Sequence, residues 1–357
     1  PDWRDLLYIP LTGTVADEVD LGQWGPPIEN QGGEGSCTAF AGSRASQMLS
    51  KRAGSLKNLS EKFLYRNTLE IEDRLGQEGA QTRNMLRSGR HQGICFESTW
   101  PNDTSALIAP SAAAIAEGLV MRMLRYERLH FWTDPDKSPA KMLHGLKSGL
   151  QEGLGVVVAM RLGEQFRNLS GPLLNQQYLN VGPGNNYIGN HAMHISGVRD
   201  KTWPYGVVAD NSWGPSHGDN GRVLLSLPAF MTDTFELWAI RGFGDFEVVP
   251  PPGILLREVS RWYLSARIVP PGPVVANIWV GAKIGSVLKI KRQDESWMDY
   301  DGTFPAYRSN LLLDDEYEVV VSDGYDLAQV PGAEVYVAYG SDPLSWELAK
   351  VCTVPEF

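Results

Sequence analysis

The chain has 357 residues, 43% of them apolar and 21% charged, with a formal net charge of −10. That balance fits a globular chain long enough for two domains and a full core, and it excludes nucleic acid or an anionic membrane as the main partner, because phosphate binding needs clustered Lys and Arg. No apolar run approaches the roughly 20 residues needed to span a bilayer, and the opening Pro1-Asp2-Trp3-Arg4-Asp5 lacks the basic-then-apolar order of a signal peptide. The chain reads as soluble. Its start at Pro1 rather than Met leaves room for a removed signal or pro-segment, so the compartment stays open, with secretion or the cell envelope after processing as one reading.

Residues 1–18 read as an N-terminal extension and 19–248 as the first domain. After Cys37, the residues Ala41, Ala45, Met48 and Leu49 recur at helical spacing, and Gly54 sits where a helix would stop. A helix starting at Cys37 is predicted, with further helices over 60–65 and 82–88. The β-branched run 155–160 suits a buried strand, and strands are also expected over 191–198 and 206–209. Helices first and strands later predict an α+β domain, a helical lobe against a sheet lobe with a cleft between.

The proline run in Glu247-Val-Val-Pro250-Pro251-Pro252-Gly253 stops helix and central strand alike, and 249–255 is read as a linker. Beyond it, 260–269, 275–284, 287–291, 317–322 and 333–339 read as strands separated by turn residues. Residues 256–357 are therefore expected to form a small all-β, sandwich-like accessory domain, with a protein or surface partner as its expected role.

The three cysteines, Cys37, Cys95 and Cys352, are too far apart to suggest a disulfide framework or a zinc pattern, and no metal or cofactor is expected. A helix N-terminus favours a thiolate through its unpaired N–H groups and dipole, which makes Cys37 the candidate nucleophile. The glycine-rich stretch before it lets the backbone approach a substrate closely. A thiolate needs an imidazole that stabilises it and later protonates the leaving amine; His191 is the candidate. In a strand, His191 and His194 point to opposite faces, so only one can serve the cleft. Asn211, in Asp210-Asn211-Ser212-Trp213-Gly214, can accept the second imidazole N–H without adding charge, and Trp213 can shield that bond.

Together these segments resemble papain-like cysteine peptidases. Asn30-Gln31-Gly32-Gly33-Glu34-Gly35-Ser36-Cys37-Thr38-Ala39-Phe40 is similar to the family's nucleophile block, which implies that Gln31 serves the oxyanion hole. His191 lies 154 positions after Cys37 and Asn211 lies 174 after it, somewhat beyond the roughly 130–150 usual for this arrangement. A loop-like insertion around 175–187 is expected to account for the excess. Asn211-Ser212-Trp213-Gly214 with Gly218, Asn220 and Gly221 resembles the block after the family's asparagine, and Leu59-Ser60-Glu61 and 93–101 also have counterparts.

The resemblance covers about 19–248 and implies a two-lobed fold and a peptide or protein substrate. It further suggests Gly79 and Ala80 as a strip that pairs with an extended substrate, Ala159 in the pocket for the residue before the scissile one, and Asn190, Trp213 and His217 as cleft residues. Glu34 stands where many members carry a disulfide cysteine, Thr38 where an aromatic residue is usual, and His217 where a tryptophan walls the primed side. Those departures imply a divergent, microbial-type branch. A carboxylate at position 34 can also raise the thiol pKa.

Cys95 and Cys352 read as buried small hydrophobes, and His91, His130, His144 and His194 as structural. The patch Leu313-Asp314-Asp315-Glu316 reads as a solvated loop lacking EF-hand spacing. The function expected is a cysteine endopeptidase. Its alternatives are a protein amidase, deamidase or transglutaminase on the same fold, and a catalytically idle binding or adhesion protein.

Overall fold

The longest helix, α1 (Cys37–Arg52), buries every residue from Thr38 to Ser50 except Arg44. Such a helix must satisfy its own polar side chains: Ser46 Oγ donates to the Gly42 carbonyl at 2.9 Å and Ser50 Oγ to the Gln47 carbonyl at 2.8 Å. Around it pack α2 (Glu61–Ile71), capped by Ser60 Oγ accepting the Phe63 N–H at 3.0 Å, and α3 (Thr82–His91). A fourth helix, α4 (Ala112–Val120), is capped in the same way by Ser111. The computed structural model describes residues 8, 10–11, 15–131, 138–176, 178–247, 253–259, 263–269, 274–300, 306–313, 317–323, 327–340 and 347–353.

Eight antiparallel strands form the sheet of the first unit: β1 (Glu18–Asp20), β2 (Met123–Phe131), β3 (Gly155–Gly163), β4 (Tyr187–Arg199), β5 (Gly206–Asp210), β6 (Arg222–Ser226), β7 (Thr234–Phe243) and β8 (Phe246–Glu247). Their order is β2-β7-β3-β4-β5-β6, with β1 on β4 and β8 on β7. Strand periodicity divides the residues between two cores. Val157, Ala192, Trp238 and Ile240 join Ala45, Met48, Leu64 and Met85 of the helical side. Val156, Val158, Met193 and Ile195 join Leu146 and Leu150 of α5 (Pro139–Glu152) and Phe230 of α6 (Leu227–Asp233). A Cβ added to Gly155 would lie 2.9 Å from Ala45 Cβ, so glycine there lets α1 lie directly on β3.

The expected helices and strands of 37–209 fall on α1, α2, α3, β3, β4 and β5, although α2 runs six residues further, to Ile71; α4, α5, α6, β1, β2, β6, β7 and β8 carry no sequence expectation. In the expected insertion, 175–187, the chain is tied down by bridges Tyr178↔Leu225 and Gly182↔Asn185 before β4 begins.

Contacts divide the chain into two units, the first ending at Val248. The second unit carries two antiparallel sheets: β9 (Gly253–Val259), β10 (Tyr263–Val269) and β15 (Tyr317–Asp323) in one, and β11 (Val274–Ile284), β12 (Val287–Lys291), β13 (Trp297–Asp299), β14 (Arg308–Leu313), β16 (Glu334–Gly340) and β17 (Glu347–Thr353) in the other. Ile268 and Val319 from the first sheet share one apolar cluster with Ile278 and Val337 from the second. The linker prolines 250–252, residues 260–262 of the expected first strand and acidic residues 314–316 lie outside the described residues, as does the side chain of Cys352.

Candidate active site

Cys37 is the first residue of α1 and is partly exposed. Cys37 packs against the apolar cluster that contains Ala192, the strand residue that follows His191, and the backbone of Ala192, Thr38 and Cys37 itself favours the thiolate. Burial nevertheless pushes the thiol up, against the pull of those three groups. The depression expected from the helix terminus is outweighed, because removing a thiolate from water costs more than these dipoles return. Glu34 is not what raises it: its carboxylate is paired with Lys62 Nζ at 2.5 Å.

His191 is buried in β4, with Nε2 2.7 Å from Asn211 Oδ1, the geometry of a ring N–H donating to an amide carbonyl. Burial pushes its pKa down to about 4, with nearby His217 adding to the fall and Asn211 opposing it. Thiol and imidazole are thus both biased to their neutral forms. Trp213 lies beside the imidazole, ring centroids 5.2 Å apart, and Phe166 packs edge-on at 6.1 Å. The two aromatic rings meet at 5.1 Å and keep water from the His191–Asn211 bond.

Gln31 belongs to a loop stitched to the segment after β5. Its backbone N–H donates to the Ser212 carbonyl at 2.8 Å, Asn30 bridges Trp213, and the Gly214 N–H donates to the Glu29 carbonyl at 3.0 Å. Gln31 Oε1 accepts from Ser212 Oγ at 2.6 Å, which turns Nε2 the other way, where one N–H donates to the Glu34 carbonyl at 2.7 Å. A primary amide carries two N–H bonds, so one remains for an oxyanion. Gln31 and Trp213 line an open groove of about 480 Å³ with the glycine loop 32–35, Glu78 and Arg167.

Asn211 and His217 are buried, and Asn211 Nδ2 is 3.0 Å from His217 Nδ1 while His217 Nε2 is 2.7 Å from the Phe166 carbonyl. His194 points to the opposite side of β4, its Nδ1 3.0 Å from Asp210 Oδ2. Asp210 is fully buried; burial pushes its carboxyl up, but Arg44, His194 and Ser196 together hold it well below the ordinary carboxylate range. Among the other expected residues, Ala159 is buried in β3 opposite Ala192, and Asn190 is exposed with Oδ1 accepting from Tyr187 OH at 3.0 Å. Gly79 adopts φ +79°, which a glycine tolerates, and its N–H donates to Tyr65 OH at 3.2 Å. Phe166 and Ser212 brace the site without having been singled out. Ser212 lay inside the asparagine motif, whereas Phe166 carries no sequence signal, since only folding brings 163–168 to the imidazole.

No protein-family model matches the chain. Among solved structures it is similar to xylellain, a cysteine protease from Xylella fastidiosa, with a TM-score of 0.59 and 23% identity over 68% of this chain and 93% of that one. It is also similar to digestive procathepsin L 3 of Tenebrio molitor larval midgut, with a TM-score of 0.51 and 19% identity over 65% and 73% of the two chains. The fold of the first unit is papain-like. Among the described residues, no helix is long and apolar enough to cross a membrane, and no group of three or more His, Cys, Asp and Glu side chains is placed to hold a metal.

Proposed function

We propose that the chain is a cysteine endopeptidase in which Cys37 is the nucleophile, His191 the proton carrier, Asn211 the group that orients it and Gln31 an oxyanion donor. The observation that carries this reading is the buried His191 Nε2–Asn211 Oδ1 bond of 2.7 Å on the strand whose next residue, Ala192, belongs to the apolar cluster against which Cys37 packs. Sγ passes its proton to His191 Nδ1 and attacks the scissile carbonyl carbon. The resulting oxyanion is received by the Cys37 N–H and the free Gln31 Nε2–H. His191 then returns the proton to the leaving amine, the C–N bond breaks, and a thioester remains on Cys37. Water, deprotonated by His191, attacks that thioester; the C–S bond breaks, the acyl group leaves as a carboxylic acid, and the proton on His191 returns to Sγ.

Because both groups favour their neutral forms, the proton passes from Sγ to Nδ1 in step with attack on the bound substrate rather than before it. The substrate is a peptide or protein. The shared core of the two C-terminal sheets supports a sandwich-like accessory domain, to which we assign binding of a protein or surface partner.

Two measurements test the peptidase assignment. Cys37→Ala should abolish turnover of a peptide library and block labelling by a peptidyl epoxide; persistent cleavage by that variant would sink it. A library left uncut by a protein whose Cys37 does react with the epoxide would move the assignment to an amidase or transglutaminase. Absence of any adduct would favour an idle binding protein.

A further inference from the structure

An asparagine serves as the acceptor for His191 Nε2–H only when its carbonyl oxygen, not its NH2, faces the ring. The amide itself has little preference between the two, because the flipped group has nearly the same shape. Something beyond the His191–Asn211 bond must choose. In this chain the other end of the amide, Nδ2, meets His217 Nδ1 at 3.0 Å, and His217 Nε2 meets the Phe166 carbonyl at 2.7 Å. A backbone carbonyl only accepts, so His217 must carry its proton on Nε2. Nδ1 is then a bare lone pair, which only accepts, so Asn211 must present Nδ2–H to it and Oδ1 to His191. His191 is thereby held with its proton on Nε2, and Nδ1 is left basic.

We propose that His217 is a positioning residue: the Phe166 carbonyl fixes its tautomer, and through Asn211 it fixes the tautomer of His191, leaving Nδ1 as the nitrogen that takes the Cys37 proton. The consequence for turnover rests on the peptidase reading above, whereas the chain of directions does not. Both members are buried, His217 at 8% exposure and Asn211 at 2%, so water does not compete for these bonds. The rings of Phe166 and Trp213, at 5.1 and 4.9 Å, hold the imidazole of His217 in place.

Protonation of His217 reverses the logic. With both ring nitrogens carrying protons, Nδ1–H repels Nδ2–H and favours the flipped amide, which would turn an N–H toward His191 and shift the His191 proton to Nδ1. A proton there blocks transfer from the thiol. The groups packed on His217 are Phe166 from the 164–168 turn, His191 from β4, and Asn211 and Trp213 from the segment after β5; of these, His191 is the one that titrates. Burial already disfavours the charged form of His217, against the help of the Phe166 carbonyl.

The test makes His217→Phe in the full chain, alone and with Asn211→Ala. His217→Phe keeps an aromatic ring but removes the acceptor. Selecting the wrong tautomer in a comparable triad costs up to about 10⁴ in kcat. His217→Phe should therefore lower kcat at least about tenfold with KM within about twofold. In the Asn211→Ala background, His217→Phe should change kcat by less than about twofold.

Equal losses in both backgrounds, or no loss at all, would each overturn the proposal. Nitrogen NMR of histidine-labelled wild-type protein at neutral pH reads the same chain of directions without turnover, and needs no variant to fold. His191 and His217 should both show the Nε2–H tautomer; an Nδ1–H tautomer at either overturns the proposal even in an active peptidase. Both Nε2–H tautomers in a chain that cleaves no peptide would instead uphold it and count against the peptidase reading alone.

Discussion

Arg44 is the one residue between Thr38 and Ser50 of α1 that is not fully buried, and its replacement should be costly. It lies two turns beyond Cys37. Its Nε donates to Asp210 Oδ2 at 2.8 Å, and Nη1 donates to the carbonyls of Pro26 and Pro27 at 2.9 and 3.0 Å. One guanidinium thus ties α1 to the residue before Asn211 and to the loop that leads to Gln31. Removing one partner of a buried ion pair costs about 3–5 kcal/mol, because the remaining charge is stranded. Asp210 would retain Arg222, whose Nε lies 3.4 Å away, together with His194 and Ser196 Oγ, the last at 2.7 Å, so Arg44→Met is expected at the lower end, about 3 kcal/mol.

For a unit of this size that corresponds to a fall in Tm of about 6–12 °C. Scanning calorimetry measures it, with the first unit's transition identified by its response to covalent labelling of Cys37. The folded carboxyl of Asp210 is held far below its ordinary 3.8, so its contribution is fully present above that value and is lost as pH falls toward the folded one. The gap between wild type and Arg44→Met should stay level from about pH 5 to 8 and narrow below about pH 4. A Tm shift under about 2 °C, or a gap that widens in acid, would refute the clamp.

Two further predictions follow from the same geometry. Gln31→Glu preserves shape and the bond from Ser212 but removes both N–H donors, and should lower kcat by about 10²–10³ with KM little changed; a loss under about fivefold would remove Gln31 from the oxyanion site. Glu61, buried behind α1 with Oε2 accepting from Asn102 Nδ2 at 2.7 Å, is pushed up to about 8 by burial and by the charge of Glu29. The folded state therefore holds a proton that the unfolded chain releases near its ordinary 4.5, and this stabilisation declines as pH rises through about 8. Glu61→Gln should gain Tm relative to wild type between pH 5 and 8; a difference independent of pH would show that Glu61 is ionised in the folded protein.

The helix at Cys37 and the strand at Gly155 were legible because their patterns are local: a 3.6-residue apolar period and a β-branched run persist whatever packs against them. Helix α5 and strand β7 were harder to read. The interior of α5 includes Gly145, Lys147 and Gly149, all buried, and strand β7 mixes Glu236, Trp238 and Arg241 with its apolar residues. Those choices make sense only in the fold: Lys147 reaches Asp17 and Asp200 at 2.9 and 2.7 Å, and Arg241 reaches Glu127 and Glu152 at 3.0 and 2.7 Å. A buried charge paired across more than fifty residues of sequence looks like a polar interruption until its partner is known.

The same limit applies at the site, where His217 could be seen in the sequence as the residue standing in place of a tryptophan, but not as a hydrogen-bond acceptor. Its meaning depends on the Phe166 carbonyl, a backbone atom 51 positions earlier that is the same chemical group in any residue. Residue types specify which groups can donate or accept, and only the fold specifies the direction. At Asn211 that direction separates an amide that leaves His191 basic toward Cys37 from one that does not.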